Sequence, residues 1–186
     1  MFRTSRSSVA AVVLFAASPA LAGELVFNGG FQSGFSGWSV PPNVPNQSHF
    51  VVSSQQGGGP NSSHYAVMSS TNQQFISQVL PTQAGQNYEL SFWLRWTSPL
   101  SSAEQVTVRW EGQPVLHIPA TFQPVPWTRY SVPLHANITG SFLEFGQAVF
   151  PGEFHIDDIS VVPIPTPSAA PLLLLGSAVA LRRRRR

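Results

Sequence analysis

The segment that most narrows the fold is residues 87–97, where polar and apolar side chains alternate without a break. Tyr88, Leu90, Phe92, Leu94 and Trp96 share one side; Glu89, Ser91, Trp93 and Arg95 share the other. Successive side chains leave a pleated backbone in opposite directions, so a period of two marks a strand with one buried face. Residues 104–111 repeat the pattern, with Val106, Val108 and Trp110 against Gln105, Thr107, Arg109 and Glu111. Shorter strand candidates are residues 64–69, 75–80, 116–118, 128–134, 142–145 and 154–162. Residues 25–27 form one more, running into the turn Asn28-Gly29-Gly30. Loops rich in proline, glycine and serine fall at 41–45, 55–63 and 98–103. No helical period of useful length occurs between residues 23 and 162. Short strands with Gly/Pro punctuation give an all-β expectation: a β-sandwich, or jelly roll, of about eight or nine strands.

The two ends of the chain read differently from this body. Residues 1–22 have the layout of a secretory signal peptide. Arg3 and Arg6 precede an apolar stretch over 9–17, and Ala20-Leu21-Ala22 offers the small-x-small site for cleavage before Gly23. A first membrane span would need a longer apolar run. At the other end, residues 163–186 run from a proline-rich lead through an apolar segment, 169–181, to five arginines, 182–186. Thirteen residues make a helix of about 20 Å, shorter than a bilayer's hydrocarbon core. Arginine stems reach outward and lengthen the effective span. Terminal arginines also stay on the cytoplasmic side, which places everything N-terminal to them beyond the membrane.

Charge follows the same division. All ten basic residues are arginines, and seven of them lie in the terminal segments. The body retains Arg95, Arg109 and Arg129 against eight acids, a net charge of −5, so nucleic acid is not an expected partner. The chain has no cysteine, so neither disulfides nor a thiolate site are available.

The tail Pro165-Thr166-Pro167-Ser168, its apolar segment and its arginine cluster resemble the sorting signal of PEP-CTERM proteins, with Thr166 where glutamate is usual. The resemblance implies export by the secretion machinery in a Gram-negative bacterium and a transient stay in the inner membrane. An exosortase-like peptidase would then release the protein to the cell surface or extracellular matrix. The body, residues 23–162, resembles the galactose-binding-like jelly rolls, which include carbohydrate-binding modules of families four and nine. The matching stretches are Asn28-Gly29-Gly30-Phe31 with Gly37-Trp38, then residues 84–93, Trp127-Thr128-Arg129-Tyr130 and residues 156–161. By that resemblance a structural Ca²⁺ would be held by Asp157 or Asp158, with Gln32 in place of a usual acid and Glu24 as a substitute ligand.

For ligand binding, the residues themselves point to the polar side of the alternating segments. If residues 87–97 and 104–111 form a hairpin about 100–102, Trp93 faces Arg109 and Ser91 faces Glu111. One surface then carries Trp93, Arg95, Arg109, Glu89 and Glu111. An indole flanked by charged hydrogen-bonding groups suits a sugar, whose C–H face stacks while its hydroxyls pair. The plainer alternative is an indole covered by a loop or an arginine stem. Trp38, Trp96, Trp110 and Trp127 read as core or turn anchors. No nucleophile elbow, zinc-binding helix or phosphate loop is present, and His49, His64, His117, His135 and His155 lack metal-ligand spacing. Glu89, Glu111, Glu144 and Glu153 are the carboxylates available to a glycosidase. The expectation is therefore an exported, non-catalytic polysaccharide-binding protein. A structural or adhesive matrix protein is the first alternative and a small polysaccharide hydrolase the second.

Overall fold

The long connections of this chain are strands rather than loops. In the computed structural model, residues 23–54, 63–96, 105–119 and 123–165 are described. The expected signal peptide, the apolar segment 169–181 and the arginine cluster lie outside them, as do Thr166 and Pro167. Seven strands form: β1 (Ser48–Ser53), β2 (Tyr65–Leu80), β3 (Asn87–Trp96), β4 (Gln105–Trp110), β5 (Gln113–Pro119), β6 (Val125–His135) and β7 (Ser141–Pro163). Among the described residues there is no helix.

Strands β2 and β7, of 16 and 23 residues, each absorb two of the expected shorter strands. They pair antiparallel along most of their length, with register breaks between Met68, Ser70 and Gln74. Such irregularities bend a ladder. The first leg of β7 pairs with β4 and the second with β3. The sheet thus folds over at β2 and β7 into two layers. One runs β1-β2-β7-β3-β6; the other adds β4 and β5 beside the first leg of β7.

The apolar side of β3 closes the core, as alternation requires: Tyr88, Leu90, Phe92, Leu94 and Trp96 are all buried. Phe92 meets Phe145 of the opposite layer edge-on at 5.0 Å between ring centroids, and Tyr88 meets Trp110 at 6.3 Å. Aromatic pairs of this kind add about 1 kcal/mol beyond the area they bury.

Two expectations change. The 87–97/104–111 hairpin does not form, because β3 lies between β6 and β7 while β4 lies in the other layer. The tight hairpin is β4–β5, closed by Glu111 (φ 52°) and Gly112 (φ 76°). Two positive φ values match the twist of the flanking strands. Residues 25–27 are not a strand. Leu25 donates its amide to Val161, but the Phe27 amide goes to the side chain of Gln78, which interrupts any ladder. The turn that follows instead packs against β7, where a Cβ on Gly29 would sit 1.9 Å from the Ile159 carbonyl oxygen. Only glycine allows that approach.

Candidate ligand-binding face

Strand β3 is central on the outer surface of its layer, so its polar side chains meet partners on both flanks. Trp93 stands opposite Arg129 of β6 and Asp157 of β7. Ser91 stands opposite Ser131 and Ser160. Between these pairs β3 advances two residues and β7 three, so β7 carries an extra residue here. Asp158, with φ 48°, marks this irregularity. Its amide donates to Asp157 Oδ1 at 2.7 Å. Bulges re-aim side chains, and this one brings Asp158 to the surface beside Trp93 while Asp157 is fully buried.

The result is a recess of about 330 Å³ lined by Ser91, Trp93, Arg129, Asp158 and Ser160. Arg129 Nη2 donates to Ser91 Oγ at 3.2 Å. One step along, Ser131 Oγ donates to Glu89 Oε1 at 2.6 Å. The recess therefore offers an indole, hydroxyls, one cation and one anion.

In the other direction along β3 the face is filled from within. Arg95 Nε donates to His155 Nδ1 at 3.0 Å, and its guanidinium lies 5.0 Å from the Tyr65 ring centre and 4.8 Å from that of Trp127. Tyr65 stacks on His155 at 5.0 Å. Because Nδ1 accepts, the neutral ring carries its proton on Nε2, 3.6 Å from Glu153. A second recess of about 430 Å³ lies beside this group, lined by Arg95, Trp96, Pro124, Val125, Pro126 and Trp127. It is the larger of the two and mostly apolar, with few groups to orient a polar ligand. The smaller recess is the better candidate on chemistry.

Of the five expected binding residues, Glu89, Trp93 and Arg95 share this face. Arg109 and Glu111 do not. Arg109 lies in the other layer with its guanidinium 4.1 Å above the Phe75 ring. Glu111, in the β4–β5 turn, accepts from the Asn137 and Ile138 amides, Asn137 Nδ2 and Ser141 Oγ. Burial opposes its ionisation, but the hydrogen bonds from Ser141, Asn137 and Ile138 outweigh it and hold the carboxyl below its usual 4.5. Glu111 is a turn clamp. Trp38, Trp96 and Trp110 are buried, whereas Trp127 is half-buried against Arg95 on the outer face.

Sequence reading missed Arg129, Ser91 and Ser160. Alternation does put Ser91 and Arg129 on the polar sides of their strands. Which strands lie side by side is not written in either segment.

The expected calcium ligands are not gathered. Glu24 Oε1 accepts from the Val26 and Val161 amides and Oε2 from Ser160 Oγ, so the carboxylate clasps the first residues to β7. Gln32 Oε1 lies 2.9 Å from His64 Nδ1 and 3.4 Å from Ser63 Oγ. Among the described residues no three His, Asp or Glu side chains converge on a common point. Calcium takes six to eight oxygens, and this arrangement does not fit it.

No family model matches the sequence, and no curated protein is similar to it. Solved structures are similar in fold. A family 61 module from the structure "TmCBM61 in complex with beta-1,4-galactotriose" aligns at TM-score 0.58 and 16% identity, covering 77% of this chain and 100% of that one. A family 16 carbohydrate-binding module aligns at TM-score 0.55 and 17% identity, covering 74% and 99%. A Stig cyclase from Fischerella sp. TAU aligns at TM-score 0.56 and 12% identity, covering 78% and 100%. The chain spans about a fifth (21%) of a bacteriophage CBA120 tailspike fragment that it also matches. At such identities the likeness establishes the fold: a jelly-roll sandwich of the kind found in carbohydrate-binding modules.

Proposed function

We propose that this is an exported, non-catalytic module that binds polysaccharide through the Trp93 recess. The observation that carries the reading is the recess itself: a partly exposed indole ringed by Ser91, Ser160, Arg129 and Asp158 on a central strand. Stacking on the indole holds the apolar face of a pyranose, and the four polar neighbours take its hydroxyls. The non-catalytic part of the reading is supported by the likeness in fold to carbohydrate-binding modules. Export by the secretion machinery, brief residence in the inner membrane and release by an exosortase-like peptidase are supported by the signal-like layout of residues 1–22 and by the tripartite segment 163–186.

The test is affinity electrophoresis of the full-length chain, in mild detergent, through gels holding soluble polysaccharides. Trp93→Ala should weaken retardation about tenfold or more with an unchanged melting temperature. Absence of retardation on every polymer would favour a structural or adhesive matrix protein. Release of reducing sugar would favour a hydrolase.

A further inference from the structure

Resting on that reading of the Trp93 recess, we infer that its ligand is an acidic polysaccharide, in which Arg129 pairs with a uronate carboxylate while Trp93 stacks on the same sugar ring. The body carries eight acids against three arginines, so protein carboxylates are plentiful. Yet among the described residues no arginine lies within 4.0 Å of a carboxylate, and the one basic side chain that does is the neutral ring of His155, 3.6 Å from Glu153. Arg129 has no carboxylate within 4.0 Å. It is exposed, and one hydrogen bond, to Ser91 Oγ, holds its guanidinium at the rim of the recess. That leaves most of its five N–H donors turned to solvent. A planar fork with free donors matches a carboxylate bidentately and is stronger with it than with a hydroxyl.

The recess is also electrically lopsided. Arg129 stands on the β6 side of Trp93 and Asp158 on the β7 side, two strand spacings or about 10 Å apart. A uronate lying on the indole can put its carboxylate toward Arg129 and its hydroxyls toward Asp158 and Ser160. The reversed ring would bring two anions together, so the pair fixes ligand direction as well as charge. Arg95, two residues along β3, has no carboxylate partner either, but it is held by His155, Tyr65 and Trp127 outside the recess, which leaves Arg129 as the cation at its rim.

The experiment compares polygalacturonate with its fully methyl-esterified, neutral form in affinity gels, using the full-length chain in mild detergent. The wild type should bind the acid form about tenfold more tightly, and added salt should narrow the gap. Arg129→Gln should abolish the preference while keeping the weaker binding of the ester. Arg129→Lys should restore part of it, because a point charge lacks the fork. Thermal melts check that each variant is folded. Polygalacturonate binding that survives Arg129→Gln unchanged would mean that another cationic segment, such as residues 182–186, does the work, and the inference falls. Equal binding of both forms, lost in Trp93→Ala, would overturn the acidic ligand and leave the sugar-binding face standing. No binding of either polymer, nor of any neutral one, removes both.

Discussion

Gln147 is completely buried, and neither its Nε2 nor its Oε1 meets a protein partner; Ser70 Oγ and Gln74 Oε1, near it across the β2–β7 ladder, are in the same condition. A buried amide without hydrogen bonds costs about 1–3 kcal/mol. Gln147→Leu is of similar size and should raise the unfolding free energy by about 1 kcal/mol, read from urea midpoints. A drop of that size would show that the amide is hydrogen-bonded in solution. Glycine 29 makes the opposite case, since its missing Cβ leaves room for a backbone carbonyl that cannot move aside. Gly29→Ala should destabilise by about 2–3 kcal/mol. Gly146→Ala should cost less, because the atoms it meets belong to the half-buried ring of Phe75, which can turn away. Equal losses at the two glycines would contradict this account.

At the level of elements, the β4–β5 turn shows what alternation can and cannot convey. The inward set of β3 was legible residue by residue, since a period of two and a water-excluding core specify the same five side chains. Neighbouring strands were not. The stretch 98–103 reads as a hairpin loop, but β3 and β4 belong to different layers, and this moves Arg109 and Glu111 off the face assigned to them. Likewise β2 and β7 read as four short strands, because their middles, around Thr71 to Gln73 and Pro151-Gly152, interrupt the pattern without ending the ladder. The turn itself has a pH signature. Because the Glu111 carboxyl is held below 4.5 when folded, the folded state takes up its proton later than the unfolded chain. Its contribution is present above the usual value and is lost as pH falls through the lowered one. Urea midpoints of the wild type and Glu111→Gln should therefore differ most well above pH 4.5 and converge as the pH is taken below it. A constant gap across that range would exclude this role for the ionised form.

On the scale of the whole molecule, the two ends of the sandwich meet. Leu25 donates to Val161, Glu24 clasps Ser160 and Val161, and Ile164 donates to Asn87 just beyond β7. The chain thus enters and leaves the body at one place, with polar closure supplied by Glu24 where the expected calcium ligands do not assemble. Melting temperature should therefore shift by less than about 1 °C between excess Ca²⁺ and a chelator, whereas RT ln(1 + [L]/Kd) would give several degrees for a tightly held ion. The shared exit also bears on processing. The proposed signal segment before Gly23 and the proposed apolar segment 169–181 would therefore both attach at this end of the sandwich. Cleavage after Ala22 falls one residue short of the Glu24 clasp and leaves it whole. Expressed in a host with a matching sorting peptidase, the released protein should begin at Gly23 and end before Arg182 by intact-mass measurement. Soluble protein recovered with Met1 and Arg186 both in place would show that neither end is an address.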